Sequence, residues 1–242
     1  MAIKLKSITR LIPWSLALRA VLFGAAWLIL PFWAFSILAL YLYFVPLFQP
    51  LKLGVPFATL LFFTYTLTPN IWFAILLLVI FYLILGMKDL ILIDRIAAYE
   101  ILVLLLLFLV FFGFFSWVTN LGIRSAPFKA VLPAGLFFFL ARGFLYYPDS
   151  PPPLLRVRKS GRWEFLFIGL GAFMIWQLSL VLLFLPMSFF YQSALLFLVT
   201  LFFLELFPYH LRGELSRERI LVNFSTFFIL GTVILAAIEW SI

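Results

Sequence analysis

Cysteine is missing from this chain altogether, and histidine occurs once, at position 210. The first absence removes disulfides, thiolate nucleophiles, iron–sulfur clusters and Cys-ligated zinc. The second removes the His-Glu-x-x-His helix and every multi-histidine metal site. Charge is scarce too, since Asp, Glu, Lys and Arg make up 11% of the 242 residues, against about a quarter in a soluble domain. No Gly-x-Ser-x-Gly turn, phosphate-binding P-loop or Gly-rich dinucleotide turn occurs. From what is left, no metal, cofactor or catalytic residue is expected.

What the chain has is apolar surface. Hydrophobic residues account for 67% of it and Phe alone for 33 positions. Several runs approach the roughly 20 residues needed to cross a ~30 Å hydrocarbon core. A transmembrane barrel alternates apolar and polar residues along strands of about ten, whereas 101–115 is apolar on every face. The expected fold is therefore an all-α polytopic transmembrane helix bundle. The net charge of +8 does not indicate nucleic acid, because the basic residues fall at span ends and form no basic domain with aromatic platforms.

The loop 147–163 sets the orientation. It carries Arg156, Arg158, Lys159 and Arg162, with Asp149 alone opposing them. Short basic loops resist translocation, so this one marks the cytoplasmic side. Its three consecutive prolines stiffen its first half into an extended arm. The basic half is a candidate contact for anionic lipid or a partner, at about 1 kcal/mol per charge near the surface.

Read in order, Lys4, Lys6 and Arg10 precede an apolar stretch over 11–48, too long for the core of a cleaved signal peptide. An anchored N-terminus is expected. The stretch holds either two spans reversing at Pro31 or one kinked helix near 20–44. Two crossings place the N-terminal charges on the same side as the 147–163 loop, which favours nine spans over eight. Further spans follow at 53–68 and 71–86, divided by the turn signal Thr68-Pro69-Asn70. Others lie at 98–118, 130–147, 164–186, 188–207 and 220–238, with an interfacial segment over 87–99. The resulting organisation is a six-span bundle over 1–146, the cytoplasmic loop 147–163 and a three-span segment over 164–242, in one membrane domain. Of the 17 Lys and Arg, only Arg124 and Lys129 fall in loops on the opposite side, and Arg19 and Arg142 fall within spans. The N-terminus is expected inside and the C-terminus outside a cytoplasmic (plasma) membrane.

Ionisable residues inside spans are functional candidates by default. Here they are Arg19, Glu100, Arg142, Glu164 and Glu205. All lie within about two turns of a cytoplasmic span end, where long side chains snorkel. The functional alternative is a cytoplasm-facing cavity in which Arg142 converges with Glu100 or Glu205. Asp89 and Asp94 resemble a divalent-ion pair, but Lys88 and Arg95 beside them neutralise the charge such an ion needs. His210 follows Pro208, which is expected to end its helix, and reads as an interfacial residue. Ala20 with Gly24, the Gly169, Gly171 and Ala172 cluster, and Ser225, Thr232 and Ala236 along the last span are expected to pack inside the bundle. Gln177 and Asn223 are expected to bond across those contacts.

Ala141-Arg142-Gly143 resembles the Ala-Arg-Gly tripeptide of the transmembrane components of energy-coupling-factor transporters, and Leu211-Arg212-Gly213 is similar to a degenerate second copy. The resemblance covers six residues and implies long cytoplasmic coupling helices, for which the chain has no room, so it assigns no family. The leading functional reading is a non-enzymatic assembly, interaction or accessory subunit whose partners are the bilayer, anionic lipid and another membrane subunit. A transporter for a small or lipidic solute is second, because short, Pro-interrupted spans over 53–86 resemble the broken helices of transport sites. An intramembrane enzyme acting on a lipid-linked substrate through Asp89, Asp94 or Arg142 is third.

Overall fold

In the computed structural model, residues 14–45, 53–89, 95–121, 126–145, 161–212 and 215–238 are described. All regular structure among them is helical. The helices are α1 (Trp14–Ile29), α2 (Phe32–Phe44), α3 (Gly54–Thr66), α4 (Ile71–Lys88), α5 (Arg95–Leu121), the single turn α6 (Ala126–Lys129), α7 (Val131–Leu145), α8 (Gly161–Leu183), α9 (Phe189–Arg212) and α10 (Arg217–Ala236). Six stretches are long and apolar enough to cross a membrane: α4, α8, α9 and α10, most of α5, and the run Ala126–Gly143 through α6 and α7. The shorter helices α1, α2 and α3 are also apolar.

The chain divides into two compact units, Met1–Leu102 and Val103–Ile242. In the first, the apolar stretch of the N-terminal region folds as a helical hairpin. Pro31 is the N-cap of α2, and Pro is tolerated at a helix start because its missing N–H has no partner to lose there. Phe23 and Phe35 pack edge to face across the hairpin, with centroids 5.0 Å apart. A second hairpin joins α3 to α4 through Thr68-Pro69-Asn70, where the Asn70 side chain accepts from the Trp72 N–H at 3.2 Å and so caps one orphan donor of α4. The main contact of the unit is α1 against α4. Ala20 and Gly24 lie in it, both buried. A Cβ on Gly24 would stand 3.2 Å from the Ala74 carbonyl oxygen, so this small-residue pair lets two backbones approach, as its spacing predicts. Phe23 stacks on Phe81 with centroids 4.1 Å apart, and Tyr43 on Phe57 at 4.0 Å.

The second unit is built on the α8–α9 hairpin, with α7 against α8 and α10 against α9. Gly171 on α8 receives the Phe203 ring of α9 and the Phe137 ring of α7, while Gly169 faces open space. The turn at 184–188 is tight, and the buried Gln192 donates its Nε2–H to the Leu182 carbonyl at 2.9 Å, satisfying an end carbonyl of α8. Gln177 is exposed.

Two expectations change. The last span does not bury its small residues: no residue of α10 is buried. It meets α9 through Phe227 against Phe202 and Gly231 against Leu198, and Ser225, Thr232 and Ala236 are exposed. The hydroxyls of Ser225 and Thr232 turn back onto the Val222 and Phe228 carbonyls, so they need no partner helix to be satisfied. Pro208 does not end α9, which continues to Arg212. A proline removes one intrahelical bond and crowds the carbonyl four residues back, and α9 accepts that cost one turn before its own end.

Candidate functional site

Charged side chains of two helices meet the carbonyl end of a third at one end of the first unit. α1 and α4 run in opposite senses, so Arg19 near the start of α1 comes level with Lys88 and Asp89 at the end of α4. α2 finishes at the same end. Its last turn leaves carbonyls without intrahelical donors, and two cations from other helices supply them. Arg19 Nη1 donates to the Val45 carbonyl at 3.0 Å, and Lys88 Nζ donates to the Tyr43 carbonyl. Cations at a helix C-terminus also face the negative end of its dipole. Lys88 Nζ further lies 5.0 Å from the centroid of the Tyr43 ring.

Asp89, the C-cap residue of α4, stands between the two cations. Its Oδ2 is 3.8 Å from Arg19 Nη1 and its Oδ1 is 3.9 Å from Lys88 Nζ. Both separations are ion-pair distances and too long for direct hydrogen bonds. The side chains are 31% exposed for Arg19, 13% for Asp89 and 0% for Lys88. Asp89 Oδ1 is buried and accepts no hydrogen bond among the described residues. A charge held in an apolar bundle is costly unless paired and hydrogen-bonded, and here one carboxylate is shared by two cations at more than hydrogen-bond distance. With an ammonium and a guanidinium at about 4 Å, Asp89 is not arranged as a ligand for a divalent cation.

Of the residues singled out in the sequence, Arg19 is thus in a constellation with Asp89. Arg142 sits in the last turn of α7 and is exposed, Glu205 is exposed on α9, and Glu100 is exposed on α5. Among the described residues Arg142 and Glu205 make no ion pair with each other. Arg156, Arg158, Lys159 and Asp94 lie outside the described residues, Arg162 falls in the first turn of α8, and Glu164 follows it there. His210 is exposed near the end of α9 with its ring edge on Phe167, centroids 5.4 Å apart. The sequence reading gave Lys88 only the role of neutralising Asp89 and Asp94 and did not place it in a site. Its one visible signal was a Lys-Asp pair at the end of an 18-residue helix that is otherwise apolar.

The opposite end of this unit is held differently. Trp27 Nε1 donates to the Thr64 carbonyl at 3.0 Å in a buried, neutral hydrogen bond, and Phe32 lies against Tyr65 with centroids 5.0 Å apart. Comparison with models of protein families, with curated proteins and with solved structures finds no match to this chain.

Proposed function

We propose that the protein is an integral membrane protein of nine spans, with its N-terminus and the 147–163 loop in the cytoplasm and its C-terminus outside, that serves as a non-enzymatic assembly or accessory subunit. The observation that carries the subunit reading is α10. It is a 20-residue apolar helix with no buried residue, and its small side chains are on its exposed side. Lipid covers Leu and Phe as well as protein does, but small residues favour close approach of another helix. The basic side chains Arg156, Arg158, Lys159 and Arg162 are the proposed contact with anionic lipid or with a cytoplasmic partner.

Two experiments test this. Reporters fused after Arg10 and Asp149 are expected on the same side and one after Ile242 on the other. Opposite sides for the first two would replace nine spans by eight. A photo-crosslinker at Thr232 is expected to trap a discrete membrane partner in native membranes, while one at Phe227, against α9, traps none. Lipid adducts alone at both positions would end the subunit reading.

A second reading, transport of a small or lipidic solute, is favoured by the buried Lys88 beside Asp89, because ionisable groups inside helical membrane bundles mark solute and ion paths more often than they stabilise. Solute uptake by proteoliposomes lost on Arg19→Gln would support it.

A further inference from the structure

The two ends of the first unit are fastened by different physics. At the Trp27 end the fastening is neutral and close: the Trp27–Thr64 bond and the approach of Gly24 to the Ala74 carbonyl, where an added Cβ would find only 3.2 Å. At the Arg19 end α2 is held by two cations donating to its carbonyls, and the carboxylate that balances those cations is itself loosely held. Asp89 touches neither cation at hydrogen-bond distance, and among the described residues its buried Oδ1 accepts no hydrogen bond. Close-packed contacts lose their attraction within about 1 Å of separation, whereas charges at about 4 Å lose it gradually with distance. A buried polar group left without a hydrogen bond costs free energy that hydration recovers, so opening is less costly at this end than at a packed apolar contact.

We propose that Arg19, Lys88 and Asp89 form a clasp that opens, separating the end of α2 from α1 and α4 while the unit pivots about the Gly24–Ala74 and Trp27–Thr64 contacts. The residues divide the work. Arg19 and Lys88 hold the Val45 and Tyr43 carbonyls of α2, and Asp89 keeps the two cations together. When Asp89 no longer compensates them, two positive charges, one fully buried, remain at one helix end, and the way to hydrate them is to open it. This inference deepens the transport reading, in which the charged cluster serves solute movement. Its test needs no solute, so a failed uptake assay and a rigid charged end are separate results.

The absence of cysteine makes the test direct, since introduced pairs are the only labelling sites. One pair, Leu18→Cys with Phe44→Cys, reports on the charged end, and a second, Leu28→Cys with Trp33→Cys, reports on the pivot. All four positions are exposed. Spin-label distances are measured on the full chain in lipid nanodiscs. Asp89→Asn is expected to add a population longer by roughly 5 Å or more for the first pair, with the second pair unchanged. Adding Lys88→Met to Asp89→Asn removes the buried charge and is expected to restore the short distance, although it deletes a further contact. Three results would overturn the clasp: no change at the charged end, equal change at both ends, or a double variant more open than the single one. A mere loss of fold would show as the second of these.

Discussion

Lys88 shows how a residue takes its role from a distant partner. A lysine at a span end ordinarily extends its head to water, and this one is enclosed because the Tyr43 carbonyl, 45 residues earlier, needs a donor. Lys88→Met keeps the volume and removes that donor. It is expected to destabilise the unit by about 1–3 kcal/mol, the cost of an orphaned buried carbonyl, read by denaturant titration in mild detergent. Arg19→Gln and Asp89→Asn are expected to be non-additive by about 0.5–3 kcal/mol when combined. A sum within error would mean that the 3.8 Å approach carries no coupling. Trp27→Phe is expected to cost about 1 kcal/mol through the lost indole donor, with no effect on the charged end. The sequence could show that Lys88, Asp89 and Arg19 were charged and near helix ends. It could not show that they share one end of one unit, because α2 and α4 are joined in space by carbonyls that carry no sequence signature.

Helices were more legible than side-chain partners, and for local reasons. Pro31 and Thr68-Pro69-Asn70 announce reversals because proline restricts φ and asparagine caps, and both hairpins form there. Ala20 and Gly24 announced a close contact, and α4 makes it. Pro208 misled, because the same chemistry that ends a helix is also tolerated near its last turn. Ser225, Thr232 and Ala236 misled for another reason: α10 is apolar all round its first-turn charges excepted, so its composition does not say which side meets α9. The glycines offer the sharpest check at this scale. Gly24→Val is expected to destabilise by about 1–3 kcal/mol through overpacking against the Ala74 backbone, measured by thermal unfolding. Gly169→Ala, with open space around it, is expected to stay within about 0.5 kcal/mol of the parent.

For the whole chain, composition indicated the class, an all-α bundle of apolar helices, and the described residues are helical with six candidate membrane-spanning helices and three shorter apolar ones. Its charge distribution supports the proposed orientation, with 147–163 as the strongest cytoplasmic determinant. Replacing Arg156, Arg158, Lys159 and Arg162 by Gln is expected to weaken binding of the nanodisc-embedded protein to anionic vesicles, and to leave the variant's binding less salt-dependent than the parent's. Unchanged vesicle binding and unchanged topology would together leave the loop without a role.

The placement of Tyr43 ahead of Lys88 in the chain bears on biogenesis. By the time α4 leaves the ribosome, the α1–α2 hairpin has already been made, and the Tyr43 carbonyl that receives Lys88 has been made with it. The lysine therefore need not be stored unpaired in lipid while a later helix is awaited. Expressed as separate halves divided between α2 and α3, the same residues would lose that order of arrival, and the second half would have to carry its charge into the membrane before finding the first.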